Sequence, residues 1–458
     1  MRLHFIAIGG TIMHNIAISM AKQGHQVSGS DDQILEPSRT QLEEAGLLPP
    51  EYGWFPEKID DSIDIVILGR HAESDNPELI KAREIGVKMY TFPELIYEQS
   101  MDKTRIVIAG TYGKTTIMSM IMHVLKDQGI VFDYLVGSQL KGFDQKIKIS
   151  APSKYLLIEG DEAYASSINR QAKFEIYKPH IALISGVEWT DEQNEVKEDE
   201  YYQRFENLIL SVEPKGTLIY NKENEKLNEI VDKTKDHAIN RYGYKLPRYV
   251  IKDGITYLQS SDYLIPLKII SKYNLSNIAG AFAVCEWLGI TREQFLTSIQ
   301  TYETSMRYLE FVANNDHSVV YQDFEHTPRK VVQGIHSIKE QFPNKQLVTI
   351  IEFNGSEVKD VEYIKKYNES IQESDYVLIY IDQENPNLSK GVISRKEAEE
   401  NVLTVLEHNN LSVYCQEKDL RNFLLEFSSQ DINLLLMSSA AYSEFNMTEL
   451  AEFFLKNN

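Results

Sequence analysis

The segment RIVIAGTYGKTT, residues 105–116, constrains the fold of this chain more than any other stretch. An apolar run at 105–110 leads into a turn with two glycines, and the mostly apolar stretch 117–129 then predicts a helix that Gly129 ends. Strand, glycine turn and helix in this order are typical of an α/β domain built on a parallel sheet. The turn has the Gly-Lys-Thr core of a phosphate-binding loop, but Ile108 stands where such loops have their first glycine.

The turn also predicts a nucleotide site. Backbone N–H groups of a glycine turn at the start of a helix form a cradle for anions. Lys114 would place its charge on the outer phosphates of ATP, and the Thr115 hydroxyl would bind Mg²⁺. The alternative is a chance Gly-Lys-Thr in an ordinary strand-to-helix turn, which the strand before it and the helix after it disfavour. The residues of this predicted ATP site are Gly110, Thr111, Gly113, Lys114, Thr115 and Thr116.

The same alternation of apolar runs and helical stretches continues along the chain. LHFIAIG (3–9) predicts a first buried strand, and a helix follows at 11–24. A new alternation begins near residue 103 and another near 306, so we predict an α/β protein of three domains, at 1–102, 103–305 and 306–458. These boundaries depend on the pattern alone.

Composition narrows the classes of partner. The 458-residue chain has a net charge of −21, which would repel a nucleic-acid backbone over most of the surface. Only two cysteines occur, Cys285 and Cys415, which is typical of a protein of the reducing cytosol. No stretch approaches the length of about 18 apolar residues that a membrane span needs. We therefore expect a cytoplasmic protein without membrane insertion.

The shortened loop GTYGKTT resembles the ATP loop of the Mur ligases, the ADP-forming amino-acid ligases of peptidoglycan synthesis, and the resemblance spans nearly the whole chain. It implies an N-terminal Rossmann-like domain that binds UDP-muramate, a central P-loop ATPase-type domain with a parallel sheet, and a C-terminal Rossmann-like domain for the amino substrate. It also implies ATP and Mg²⁺ as cofactors.

The N-terminus carries a second part of the resemblance. AIGGTIMHN (7–15) is a weak signal by itself, because a pair of glycines is often a plain turn. Followed by VSGSD (27–31), it resembles the UDP-sugar-binding start of the muramate-recognising members. The resemblance places Gly9, Gly10 and Met13 along the uridine diphosphate and Asp31 near the uridine.

Two acidic segments resemble metal-binding motifs of the family. In YLLIEGDEAYASS (155–167), Glu159 matches the Mg²⁺ ligand best and Glu162 matches less well; an exposed acidic loop is the alternative. In ISGVEWTDEQ (184–193), Thr190 and Asp191 stand where the family has Asp-His. Asp191 would then bind the second metal through oxygen instead of nitrogen.

Two further segments resemble nucleotide contacts. KYNLSNIAGAF (272–282) keeps Asn274 and Asn277 of a His-Asn-x-x-Asn motif, with Tyr273 in place of the His. These amides would pair with adenine or the phosphates, although Asn274 could equally cap a helix. SMRYLE (305–310) keeps one arginine, Arg307, which would reach the γ-phosphate; Tyr308 replaces the other.

YQDFEHTPRKV (321–331) resembles the motif that opens the C-terminal domain of the family. Asp323 would contact the ribose, and His326 would orient or deprotonate the incoming amine. Thr327 departs from the family's second His. The resemblance therefore implies three catalytic residues, namely Lys114, Arg307 and His326.

The stretch AYASSINRQAKFEIYKP (163–179) is most similar to members that join L-alanyl-γ-D-glutamyl-meso-diaminopimelate to UDP-N-acetylmuramate in murein recycling. That implies a ligase working through an acyl phosphate on the lactyl carboxylate, as a monomer or weak homodimer. Two alternatives stay open: L-alanine as the amine, or a homologue that binds ATP and the UDP-sugar with impaired catalysis. The departures at 191, 273, 308 and 327 motivate the last of these.

Overall fold

The protein is described from a computed structural model, and its chain forms two compact units. The first comprises Met1–Pro247 and Ser276–Ile299, and the second comprises Arg248–Leu275 and Gln300–Asn458. The described residues are 1–69, 72–143, 145–150, 152–166, 169–190, 196–260, 263–303, 309–354, 357–381, 394–427, 430–438 and 446–458.

A four-stranded parallel sheet in the order β2-β1-β3-β4 opens the first unit. Its strands are β1 (Arg2–Ile6), β2 (Gln26–Ser30), β3 (Ile65–Leu68) and β4 (Lys88–Thr91). The helices are α1 (Met13–Lys22), α2 (Ser38–Glu44), α3 (Pro77–Ile85) and α4 (Phe92–Glu98), with a short 3₁₀ helix at Pro56–Lys58.

A seven-stranded sheet in the order β11-β10-β9-β5-β8-β6-β7 forms the rest of the first unit, parallel except for β7. Its strands are β5 (Thr104–Ala109), β6 (Asp133–Leu135), β7 (Ile147–Lys148), β8 (Tyr155–Glu159), β9 (Ile181–Ile184), β10 (Thr217–Asn221) and β11 (Asn240–Tyr244). The helices are α5 (Lys114–Asp127), α6 (Lys173–Ile176), α7 (Glu198–Ser211), α8 (Glu225–Lys233), α9 (Lys272–Trp287) and α10 (Arg292–Ile299).

The second unit has a three-stranded antiparallel sheet and a six-stranded sheet in the order β15-β16-β20-β17-β18-β19. The former holds β12 (Tyr249–Lys252), β13 (Ile255–Ser260) and β14 (Tyr263–Leu267); the latter holds β15 (Glu310–Asn314), β16 (Val319–Asp323), β17 (Gln346–Phe353), β18 (Tyr376–Ile381), β19 (Leu411–Tyr414) and β20 (Ile432–Met437). Helices are α11 (Pro328–Gln341), α12 (Val361–Lys365), α13 (Arg395–Val405), α14 (Glu417–Leu424) and α15 (Met447–Asn457), with 3₁₀ helices at Glu357–Lys359 and Leu425–Phe427.

The sheets explain where the candidate site residues lie. Strand β5 is at the centre of its sheet, and its residues 106–109 are fully buried, as expected for an apolar strand covered on both faces. The carboxyl end of this strand leads directly into the glycine turn. The α/β class with sheets dominated by parallel strands confirms the fold predicted from the sequence.

The antiparallel sheet at 249–267 was not predicted, and it groups with the second unit although it lies inside the segment 103–305. The three domain boundaries therefore stay predictions. In the described part of the chain, the helices are too short or too polar to cross a membrane.

Candidate active site

The phosphate turn between β5 and α5 is shaped by two glycines in the left-handed half of backbone space. Gly110 has φ 130° and Gly113 has φ 81°. A Cβ on Gly110 would lie 2.2 Å from the Ser185 Oγ and 3.0 Å from the carbonyl oxygen of Gly186. A side chain at position 110 would therefore be both strained and obstructed.

Lys114, the first residue of α5, stays folded over this turn. Its Nζ donates to the carbonyl oxygen of Gly110 at 2.7 Å and lies 3.5 Å from the Glu162 Oε2. The lysine side chain is 19% exposed, so its charge is accessible from solvent while held at the turn. A cation beside main-chain amides at a helix start fits a bound phosphate.

Thr115 and Glu159 bring two hard oxygen donors together. The Thr115 Oγ1 donates to the Glu159 Oε1 at 2.5 Å, and the Glu159 Oε2 accepts from the N–H of Gly137 at 2.8 Å. Hydroxyl and carboxylate oxygens are ligands that Mg²⁺ favours, usually alongside substrate phosphates and water. The described residues contain no cluster of three or more His, Cys, Asp or Glu side chains. The pair fits a magnesium site that a nucleotide would complete.

Thr111 fixes the turn from its other side. Its N–H donates to the Gly186 carbonyl oxygen at 2.9 Å, and its Oγ1 accepts from the Glu188 N–H at 2.8 Å. The same Oγ1 lies 2.8 Å from the Tyr201 hydroxyl oxygen. Thr116 is buried in the first turn of α5. The Thr111 side chain thus fixes the shape of the turn through contacts with Glu188 and Tyr201.

The two asparagines of α9 differ in their partners. Asn277, in the first unit, is buried, and its Nδ2 has no hydrogen-bond partner among the described residues. Asn274, in the second unit, donates its Nδ2 to the Ile270 carbonyl oxygen at 3.0 Å. The Ser271 Oγ accepts from the Asn274 N–H at 3.2 Å, so Ser271, not Asn274, supplies the cap considered above.

The N-terminal glycine turn is closed by Asp31. The Asp31 Oδ2 accepts from the Gly9 N–H at 2.7 Å, and burial raises the pKa of the Asp31 carboxyl. A Cβ on Gly9 would lie 2.8 Å from the Ile34 Cγ1. Sequence reasoning placed Asp31 near a uridine; in the structure its side chain holds the turn itself.

A cavity of about 420 Å³ adjoins this turn within the first unit. The His14 Nδ1 lies 2.9 Å from the Gly10 carbonyl oxygen, and its Nε2 lies 2.9 Å from the Gln41 Oε1. Met13 is buried and does not line the cavity. Polar and basic lining residues include Thr11, His14, Asn15, Lys22, Gln139 and Lys146.

In the second unit, Asp323 ends β16 in a buried position. Its carboxylate accepts from the N–H groups of Leu309, at 3.2 Å, and Glu325, at 3.0 Å. Burial raises the pKa of Asp323 to about 7, and the two backbone donors and Lys330 only partly oppose this.

His326 is paired with a residue that sequence reasoning missed. Its Nε2 lies 3.0 Å from the Glu357 Oε1, while its Nδ1 has no hydrogen-bond partner in the described part of the chain. The Glu357 Oε2 accepts from the Asn354 N–H at 2.8 Å. The only available signal in the sequence was an acidic residue in the segment IEFNGSEVKD (351–360).

Three of the residues singled out from the sequence, Arg307, Tyr308 and Asp191, lie outside the described residues. Thr327 precedes α11 without a capping bond from its side chain, and Tyr273 has the Lys330 ammonium 5.7 Å from its ring centre.

Comparison with known sequences gives two family matches. Residues 108–285 match the model of the Mur ligase middle domain, and residues 2–103 match the Mur ligase family catalytic domain. The UDP-N-acetylmuramate–L-alanine ligase of Aquifex aeolicus is 27% identical over 363 residues, which are 77% of this chain and 77% of that protein.

Comparison with solved structures gives the same fold. The UDP-N-acetylmuramate–alanine ligase of Thermotoga maritima superposes with a TM-score of 0.63 at 19% identity, covering 100% of this chain and 98% of that one. A murein peptide ligase of Psychrobacter arcticus gives 0.60 at 20% identity, again covering 100% and 98%. At these identities the likeness concerns architecture.

Proposed function

This chain belongs to the Mur ligase family of ADP-forming acid–amino-acid ligases, and from that premise we propose that it joins an amine to the lactyl carboxylate of UDP-N-acetylmuramate. One observation carries the proposal: Lys114 and the Thr115–Glu159 pair converge on a turn that two positive-φ glycines hold open for an anion. A strand-to-helix turn without a phosphate ligand has no need of that combination.

In the proposed reaction the γ-phosphate of ATP passes to the lactyl carboxylate, and the amine displaces phosphate from the resulting acyl phosphate. Phosphoryl transfer depends mainly on positioning and charge neutralisation. The Lys114 ammonium would supply a positive charge at the outer phosphates, with Arg307 as a second. Thr115 and Glu159 would hold Mg²⁺, which when bound neutralises phosphate charge. Gly110, Thr111, Gly113 and Thr116 would form the rest of the cradle.

The remaining nucleotide contacts are proposed from the resemblance and from burial. The buried Nδ2 of Asn277 has no hydrogen-bond partner within the described part of the chain, which would suit an adenine or phosphate acceptor. Asn274 and Asp323 are proposed at the nucleotide as well, Asp323 at the ribose. Asp191 is proposed as a ligand of the second metal.

The UDP-sugar is proposed to bind at the N-terminal turn. Gly9, Gly10, Met13 and Asp31 would shape its diphosphate and uridine contacts. The adjoining cavity supports this placement, since its volume is of the size of small-molecule sites and its mixed lining includes Lys22 and Lys146, with Glu44 as the one acidic residue among the described residues that line it.

His326 is proposed to orient the amine and accept its proton. Its Nε2 is fixed by Glu357, so the Nδ1, which has no hydrogen-bond partner among the described residues, is the nitrogen left for that task. A carboxylate on one ring nitrogen also fixes the orientation of the ring and the nitrogen that carries its proton.

We propose L-alanine as the amine. The curated relatives, at 24–28% identity, are named UDP-N-acetylmuramate–L-alanine ligases, which favours L-alanine over the tripeptide that the sequence analysis ranked first. The tripeptide is the second candidate because 163–179 resembles tripeptide-joining members. In that segment the Lys173 Nζ lies 2.5 Å from the Asp161 Oδ2. Burial alone would raise the pKa of the Asp161 carboxyl, but the Lys173 ammonium lowers this pKa below its usual value.

The test measures ADP release with ATP, Mg²⁺ and UDP-N-acetylmuramate, with L-alanine, the tripeptide or no amine added. We expect ADP release that depends on L-alanine. Release only with the tripeptide would establish the second candidate. ATP and UDP-sugar binding without ADP release for either amine would overturn the ligase proposal and leave a binding protein with impaired catalysis.

A further inference from the structure

Helix α7 (Glu198–Ser211) contacts both sides of the phosphate turn through two residues one helical turn apart. Tyr201 reaches the turn itself, with its hydroxyl oxygen 2.8 Å from the Thr111 Oγ1. Arg204 reaches the acidic loop after β8, with its Nη1 donating to the carbonyl oxygen of Glu162 at 2.8 Å. Residues at i and i+3 share a helix face, so one face of α7 supports both segments.

Arg204 is buried in a way that fixes the position of its guanidinium. Only 9% of its side chain is exposed, its Nη2 lies 3.1 Å from the Glu200 Oε1, and its Cζ lies 4.2 Å from the ring centre of Tyr164. Tyr164 also donates its hydroxyl to Glu200. The guanidinium is therefore held by a carboxylate and by an aromatic face, and a planar fork of this kind is poorly replaced by lysine.

The contact with Glu162 matters because of what the Glu162 side chain does. Its carboxylate lies 3.5 Å from the Lys114 Nζ, whose other partner is the Gly110 carbonyl oxygen. The carboxylate of Glu159, by contrast, accepts hydrogen bonds from the Thr115 hydroxyl and the Gly137 N–H. The two glutamates of the motif thus face different groups. Glu159 contacts the Thr115 hydroxyl proposed to bind Mg²⁺, and Glu162 faces the Lys114 ammonium proposed to bind the phosphates.

We propose that Arg204 is a positioning residue for Lys114 that acts through Glu162, with no part in metal binding. Arg204 holds the Glu162 main chain, this places the Glu162 carboxylate, and the carboxylate keeps the Lys114 ammonium over the glycine turn in the orientation that receives the nucleotide phosphates. The inference rests on the proposed ATP site.

The experiment measures ATP affinity by calorimetry, with Mg²⁺ present, for the full-length protein and its variants. Arg204→Met is expected to weaken ATP binding about tenfold, the scale of one hydrogen bond involving a charged group, and Arg204→Lys about threefold. The Mg²⁺ concentration for half-maximal ATP binding is expected to stay unchanged in Arg204→Met and to rise in Glu159→Gln. A parallel rise in Arg204→Met would overturn the assignment.

A double-mutant cycle tests whether the effect passes through Glu162. Glu162→Gln keeps the carbonyl oxygen that Arg204 contacts but removes the charge facing Lys114. If the inference holds, Arg204→Met weakens ATP binding no further in the Glu162→Gln background, because each change alone already disrupts the positioning of Lys114 by the Glu162 carboxylate. Full additivity of the two changes would contradict it.

Arg241→Met is the matched control for loss of stability. Arg241 also lies in the first unit, its Nη1 donates to carbonyl oxygens of His237 and Ile239, and its Nε, like that of Arg204, is buried without a partner among the described residues. We expect Arg241→Met to lower the unfolding temperature while ATP affinity is kept. Equal ATP affinity in wild type and Arg204→Met would refute the inference, whereas a wild type that binds no ATP would refute the proposed function.

Discussion

The turn at Lys114 and the turn at His326 both follow a buried parallel strand and precede a helix, yet they hold their polar groups differently. Lys114 is held by the Gly110 carbonyl oxygen, four residues away, and by Glu162. His326 is held by Glu357, 31 residues further along the chain. The Lys114 ammonium therefore has one partner within its own turn and a second, Glu162, 48 residues further along, whereas the side-chain partner described for the His326 ring lies in another segment.

The difference between the two turns indicates at which positions residues can be substituted without loss of function. A phosphate cradle needs particular backbone angles, so its residues form a short motif that admits few alternatives. A base that accepts a proton needs an orienting acceptor, which any nearby segment can supply. The departures from the family motifs at 191, 273, 308 and 327 accordingly lie outside the phosphate turn, whose Gly-Lys-Thr core is kept.

The largest expected effect is at the phosphate turn. Lys114→Met removes the ammonium at the outer phosphates and is expected to lower kcat/KM for ADP release about 10³-fold. Lys396→Met, at a side chain that is 85% exposed, is the matched control and should leave the rate unchanged. Near-normal turnover of the Lys114 variant would show that the turn is not the site of phosphoryl transfer.

Gly110→Ala tests the backbone of the same turn. Strain at φ 130° and overlap with the Ser185 Oγ are expected to lower the free energy of unfolding by about 3 kcal/mol. Gly129→Ala is the control: its φ is 66°, but nothing lies within 4 Å of the added Cβ, so a loss of about 1 kcal/mol is expected. Urea denaturation measures both, and equal losses would contradict the steric argument.

Asp323 tests the second turn through pH. Because its pKa is raised from 3.8 to about 7, the native state keeps a proton that the unfolded state releases between those values. The free energy of unfolding should fall as pH rises from about 4 to about 7, by about 2–3 kcal/mol. Asp323→Asn should remove this part of the pH dependence, as measured by denaturation at several pH values. An unchanged slope would mean that Asp323 is ionised throughout.

Glu357→Gln tests the distant pairing at His326. It keeps the size of the side chain but weakens the acceptor at the Nε2 and is expected to lower kcat about tenfold, with little change in the KM for ATP. A change in the KM for ATP alone would assign Glu357 to nucleotide binding instead.

Sequence reasoning found the structural features that depend on residues close together in the chain. The order strand, glycine turn and helix around Lys114 follows from apolar periodicity and two glycines, whereas Glu159 was singled out by its resemblance to the Mg²⁺-binding motif of the family. It could not find Glu357 or Arg204, because these contacts join segments 31 and 42 residues apart. The antiparallel sheet at 249–267 was missed because its short strands carry a proline and many partly exposed residues.

The bond between the Gly9 N–H and the Asp31 carboxylate has a consequence for the speed of ligand capture. A turn already closed by its own side chain requires no ordering step before the proposed UDP-sugar ligand arrives, so diffusion should set the association rate. Since the chain carries a net charge of −21, an anionic ligand approaches against long-range repulsion, and added salt should raise that rate severalfold. Stopped-flow association at increasing ionic strength would measure it.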